Sequence, residues 1–213
     1  MAKDLNPIVK FYDPLQLASN SLWTLSNEQT IGFLRHAEVK HGRVAMAAFV
    51  GYCVQSNVHF PWPMTLAGDP FPSTDLSPPE QWAAIPDVAK WQIIGFIGFL
   101  EIYSEASSSL TSGAYLPHYV NGGQPGKFPT FDSVPHPMPL NSLYDPFGLH
   151  KNKSEEAKAK GLVREINNGR LAQLGIFGFL CEQTIPGSVP GLSSIVKPYA
   201  GDLIGGFDFT FGH

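Results

Sequence analysis

Charge is scarce in this chain: Asp, Glu, Lys and Arg make up 15% of its 213 residues, against roughly 25% in soluble globular proteins. The balance is −4, with no basic patch or stripe, which excludes a nucleic-acid binder. Also missing is any run of about 18 uninterrupted apolar residues, the plainest sign of a membrane helix. Mean hydropathy is −0.04. That average misleads, because the polar residues gather in long Pro/Gly-rich connections and leave three apolar segments. The two cysteines, Cys53 and Cys181, have no zinc or redox spacing and read as small buried hydrophobes. No nucleophile–base or phosphate-loop pattern is present, so the chain does not read as an enzyme. The polar start, Met1-Ala2-Lys3-Asp4, shows no signal or transit peptide. Either the chain is mature or targeting lies elsewhere.

Segment one runs from about Asn27 to Gln55, with Ser26 or Asn27 as N-cap and Glu28 at the positive helix end. Segment two, from about Asp87 to Ser108, opens after Pro86 and carries Ile93-Ile94-Gly95-Phe96-Ile97-Gly98-Phe99-Leu100. Segment three starts near Ser154 and stops before Pro186. As helices, segments one and three are each about 40–45 Å long, which exceeds the roughly 30 Å of a hydrocarbon core. The connection 58–89 holds no Lys or Arg, whereas 109–164 holds Lys127, Lys151, Lys153, Lys158, Lys160 and Arg164. This alternation predicts three spans, with the N-terminus and the second connection on the positive side. Segments one and three then cross in the same direction about a pseudo-two-fold axis. The expected fold is an all-α membrane protein with three transmembrane helices, the first and third crossed, and long loops. It forms one domain over 1–213. Trp82, Trp91 and Tyr103 read as an interfacial aromatic belt. His36, His59, His118, His136, His150 and His213 lie at segment ends or in connections and read as surface histidines.

A polar motif interrupts two of these segments. Glu38-Val39-Lys40-His41-Gly42-Arg43-Val44-Ala45 returns, 127 residues later, as Glu165-Ile166-Asn167-Asn168-Gly169-Arg170-Leu171-Ala172. Apolar tails end at Gly51 and Gly178. Upstream, Tyr12-Asp13-Pro14 is matched by Tyr144-Asp145-Pro146. The chain therefore carries a duplicated module of turn, linker and helix, over 11–57 and 143–185.

Three residues apart on a helix, Glu38 and His41 present two electron-pair donors on one face, as do Glu165 and Asn168. Arg43 and Arg170, five beyond each Glu, are turned roughly 140° away and reach toward the opposite helix. The economical arrangement is reciprocal, Glu38 with Arg170 and Glu165 with Arg43, leaving each carboxylate one oxygen free. Losing a partner from a buried pair costs about 3–5 kcal/mol. Glu, His and Asn are too varied for one metal cage but suit separate Mg²⁺ centres that each need one axial ligand, the situation of chlorophyll. Gly42 and Gly169 clear space for a flat macrocycle or for a second helix.

These paired helices, each led by an Asp-Pro turn, resemble the chlorophyll-binding light-harvesting antenna superfamily. The Glu-Ile-Asn-Asn-Gly-Arg-Leu-Ala wording is most similar to red-lineage chlorophyll a/c (fucoxanthin-chlorophyll-type) antennae. The tail from Pro186-Gly187-Ser188-Val189-Pro190 to Lys197-Pro198-Tyr199 looks like photosystem I-associated members. The resemblance implies Glu38, His41, Glu165 and Asn168 as axial ligands to chlorophyll Mg, with Arg43 and Arg170 as ion-pair partners. It places Asp13 and Asp145 in turns that cradle carotenoid end rings. Glu182, Gln92 and Glu101 match further pigment-binding positions, Glu182 without an evident Arg partner and with Glu105 a competitor for the role of Glu101. The implied cofactors are chlorophyll a, chlorophyll c and xanthophyll carotenoids. The implied partners are a photosystem core, photosystem I favoured, with neighbouring antenna subunits and thylakoid lipids. The implied setting is the plastid thylakoid membrane, multi-pass with a stromal N-terminus. A photoprotective, energy-dissipating relative shares the same fold. The rival from another class is a di-iron carboxylate enzyme, since Glu-x-x-His on bundle helices is its ligand pattern. Asn168 is a poor iron ligand, and the Arg pair opposes a dication.

Overall fold

The computed structural model describes residues 6, 8, 10–19, 24–110, 117–129, 145, 148 and 152–201. His136, His150 and His213 lie outside them. Four α-helices are present among the described residues: α1 Asn27–Gln55, α2 Pro78–Ala84, α3 Asp87–Leu110 and α4 Glu155–Thr184. A 3₁₀ turn covers Tyr119–Asn121. Capping fixes the starts. The Ser26 hydroxyl accepts from the Gln29 N–H at 3.3 Å, and the Gln29 side chain accepts from the Ser26 N–H at 2.9 Å. This is a reciprocal capping box. At α4 the Ser154 hydroxyl accepts from the Ala157 N–H.

The expectation of three transmembrane helices is overturned. Among the described residues no single helix is long and apolar enough to cross a membrane. One bent pair, Pro78–Ala84 with Asp87–Ala106 at 108°, meets the requirement by length and composition. The reason lies in the motif itself. Its Glu, His, Lys and Arg residues occupy the first half of the apolar stretch in α1, and Arg164, Glu165 and Arg170 do the same in α4. The uninterrupted apolar tails that remain are too short.

The contacts divide the chain into two compact units. One holds Met1–Arg43 and Gly98–Arg170, the other Val44–Ile97 and Leu171–His213. In the first, α1 and α4 meet at the motif glycines. A Cβ on Gly42 would lie 3.0 Å from Gly169 Cα, and one on Gly169 would lie 2.8 Å from Gly42 Cα. Backbone meets backbone there. Segment 117–129 lies along α1, and Tyr103, read from sequence as interfacial, is instead buried at 8% exposure, with the Phe128 ring 6.2 Å away. In the second unit Phe49 stacks on Phe179 at 4.9 Å, and Tyr52 tilts against the same ring. The Tyr52 hydroxyl donates to Gln183 at 3.0 Å. Helix α2, which the sequence reading left inside a connection, starts where the N–H and hydroxyl of Ser77 both donate to Glu80, at 2.7 and 2.6 Å. Gln81 is buried and donates to the Gln55 and Leu76 carbonyls. The cysteines also differ from expectation: Cys53 is exposed and Cys181 half-buried.

Candidate pigment site

The motif residues of the first unit converge on the helix crossing. Arg43 Nε donates to Glu165 Oε1 at 2.6 Å. Arg170 answers through Nε at 2.7 Å and Nη2 at 2.6 Å, both to Glu38 Oε1. Each guanidinium thus uses one carboxylate oxygen. Among the described residues no hydrogen bond reaches Oε2 of either Glu. The side chains are between 21% and 43% exposed, so these are not the fully buried pairs expected from sequence. Removing one partner costs about 1–3 kcal/mol, between the surface and buried limits.

His41 is exposed, and its Nδ1 lies 2.8 Å from the Ala37 carbonyl one turn back. A carbonyl only accepts, so Nδ1 donates to it, and in the neutral ring the lone pair then stands on Nε2. A histidine held in this tautomer by a backbone carbonyl is the usual metal-ligating arrangement. Asn168 is exposed at the equivalent place on α4. Together the crossing offers two open carboxylate oxygens, one imidazole nitrogen and one carboxamide on partly exposed helix faces. This donor set fits separate Mg²⁺ centres that each lack one axial ligand. It does not fit a di-iron site. Among the described residues no group of three or more His, Cys, Asp or Glu is placed to hold a metal ion.

The other expected residues fall elsewhere. Asp13 locks its own turn, its two oxygens accepting the Leu17 and Ala18 N–H groups at 2.9 Å each. The Asp145 carbonyl accepts from the Gly148 N–H at 3.1 Å, and most of its neighbours lie outside the described residues. Gln92 is exposed on α3. Glu101 pairs with Lys40, whose ammonium also donates to Ser104 at 3.3 Å. Glu182 is buried, and its two oxygens accept the N–H groups of Gly187 at 2.7 Å and Val189 at 2.8 Å. Those bonds hold its carboxyl below the usual range. They also supply the partners for which the sequence showed no arginine.

Sequence reasoning missed the cover over α1. His36, read as a surface histidine, is 8% exposed and stacks on Tyr119 at 3.9 Å. Its Nδ1 accepts the Gly126 N–H at 3.1 Å. Burial, and next the Lys40 ammonium, hold this imidazole below the usual histidine range and keep it a neutral acceptor. Glu105 collects His118 at 2.9 Å and the Tyr119 hydroxyl at 3.1 Å. The only local signal was the turn former pair Pro125-Gly126.

The model of the family "Chlorophyll A-B binding protein" matches residues 1–184. A fucoxanthin-chlorophyll a-c binding protein, chloroplastic, of Trieres chinensis is 30% identical over 191 residues, covering 86% of this chain and 78% of the relative. Fucoxanthin-chlorophyll a-c binding protein F of Macrocystis pyrifera is 29% identical over 204 residues, covering 94% and 78%. The protein of the same name from Phaeodactylum tricornutum is 31% identical over 183 residues, covering 84% and 76%.

Proposed function

Since the chain belongs to the chlorophyll a-b binding protein family, in its red-lineage fucoxanthin-chlorophyll a/c branch, we propose that it holds chlorophyll a, chlorophyll c and xanthophylls as a light-harvesting antenna of the plastid thylakoid. It is not an enzyme, and no bond is made or broken. The observation that carries the reading is the helix crossing, where two carboxylates spend one oxygen each on an arginine and keep the other open beside His41 and Asn168. Glu38, His41, Glu165 and Asn168 are the axial ligands in this reading. Chlorophyll, once bound, would supply the absorption, and these four side chains would hold it. The protein's part is to fix where each ligand atom stands. Arg170 and Arg43 do so for the two Glu, and the Ala37 carbonyl does so for His41. Gln92, Glu101 and Glu182 are further candidate positions, Glu101 with one oxygen on Lys40 and Glu182 with both oxygens on backbone N–H groups. Asp13 and Asp145 head the two turns assigned to carotenoid end rings.

Excitation then passes to a photosystem core, and we favour photosystem I on the wording of the tail from Pro186 to Tyr199. Purification from the native membrane, with an absorption spectrum and pigment extraction on one sample, tests the proposal. Several chlorophylls and carotenoids per chain are expected, in a complex that co-migrates with photosystem I. A colourless protein carrying stoichiometric iron would sink the antenna reading. Pigment with co-migration on photosystem II would overturn only the choice of core.

A further inference from the structure

Among the described residues the two halves of the duplicated motif are not held alike. On α1, Gly32, His36, Val39 and Arg43 follow one another at four, three and four residues, a single helical stripe. Segment 117–129 lies on that stripe. A Cβ on Gly32 would lie 2.6 Å from the Tyr119 carbonyl oxygen. The His36 ring stacks on Tyr119. A Cβ on Gly126 would lie 2.5 Å from Val39 Cγ1 and 3.3 Å from Arg43 Nη2. Gly126 has φ +78° and is gripped from both sides. Its N–H donates to His36 Nδ1 at 3.1 Å, and its carbonyl accepts from Arg43 Nη1 at 2.5 Å. Arg43 then spends Nε on Glu165. A continuous hydrogen-bonded chain therefore runs from His36 through Gly126 and Arg43 to Glu165. Among the described residues no loop carbonyl meets Arg170, which grips Glu38 alone.

We infer that segment 117–129 is a strap belonging to the Glu165 site, with His36 and Gly126 as positioning residues that fix the arginine orienting that ligand, and that among the described residues the strap has no counterpart at the Glu38 site. The physical reason is the guanidinium's fixed fork. With Nη1 tied to a backbone carbonyl, the plane of Arg43 is set, and so is the oxygen of Glu165 that it takes. The other oxygen accepts no hydrogen bond among the described residues. Without the strap Arg43 regains its rotamers, and the carboxylate loses its fixed direction. The inference rests on Glu165 being a pigment ligand, so its test keeps that assumption separate.

The full chain is refolded with its own pigments in detergent, and chlorophyll per chain and low-temperature absorption difference spectra are recorded. Glu165→Leu and Glu38→Leu give the two reference signatures. Gly126→Ala and His36→Leu are expected to lose one chlorophyll per chain with the Glu165 signature, leaving the Glu38 signature intact. His36→Asn, whose side-chain oxygen takes the place of Nδ1 as acceptor, is expected to restore it. Amide exchange at Gly126 gives a readout independent of pigment. Protection in the wild type and in His36→Asn, lost in His36→Leu, is the expected result. Wild-type pigment content and spectrum in Gly126→Ala and His36→Leu would overturn the inference. So would loss of both signatures together, which marks a purely structural role, or failure of His36→Asn to rescue. If Glu165→Leu itself loses no chlorophyll, the ligand assignment falls, and the inference with it.

Discussion

Tyr119 carries a pH-sensitive contact of the strap. Its hydroxyl donates to Glu105 at 3.1 Å while the ring stacks on His36. Burial, then the negative charge of Glu105, pushes its pKa from 10.0 up to about 12. The folded protein thus holds the phenol proton more tightly than the unfolded chain. The stabilising contribution is complete below pH 10 and is lost as pH rises through about 12. A phenolate absorbance titration of wild type against Tyr119→Phe is expected to show one tyrosine ionising late, with strap release in the same window. Ionisation of Tyr119 near pH 10 would contradict the docked geometry. His36 makes a related point at the same scale. Its acceptor role depends on a neutral ring, and its partner lies 90 residues away. No local pattern announces such a contact, which is why a buried histidine reads as a surface one.

Between elements, the crossing of α1 and α4 is the most constrained feature, because two glycines leave no room for any side chain. Gly169→Ala would place a methyl 2.8 Å from Gly42 Cα, against backbone that has no rotamer to move. The helices must part, and overpacking of this kind costs about 1–3 kcal/mol. Alanine's better helix propensity returns roughly 1 kcal/mol at most. A lower thermal midpoint in Gly169→Ala, with weaker binding at both motif sites, is the expected outcome, checked by circular dichroism melting and pigment extraction. The sequence made this legible, since the motif repeats at one offset and both copies place Gly beside the proposed ligands. It left open whether the space serves a macrocycle or a helix, and at this point a helix fills it. The bounds of α1, α3 and α4 were likewise legible from caps and apolar runs. Helix α2 was not, because seven residues that begin with Pro78-Pro79 give no readable period. The signal available was Ser77 three residues before Glu80, a capping-box spacing with proline at the first helical position.

For the molecule as a whole the informative quantity is apolar surface. On α3 the side chains Val88, Trp91, Ile93, Ile94, Phe96, Ile97, Phe99 and Ile102 are each at least 40% exposed. Spaced at about 100° per residue, they surround the helix rather than striping one face. Patches of that size mark contact with lipid, pigment or protein. The apolar character of α3 is as the sequence reading had it, whereas the charge alternation overreached in predicting three spans. In α1 and α4 the residues that break the apolar run include the proposed pigment ligands. The surface of α3 makes a prediction that rests on no motif residue. Ile93→Glu together with Ile97→Glu, one turn apart, leaves the strap, the crossing and all four proposed axial ligands untouched. If thylakoid lipid or a neighbouring antenna covers this face, each carboxylate enters an apolar medium, at a cost reaching about 2.5–3.5 kcal/mol where that medium is deepest. Recovery in the membrane fraction is expected to fall by an order of magnitude or more, with helix content unchanged in detergent. Fractionation of plastids expressing the two forms measures it. Equal membrane recovery would mean that this face lies against something polar, and the apolar environment assigned to α3 would have to be withdrawn.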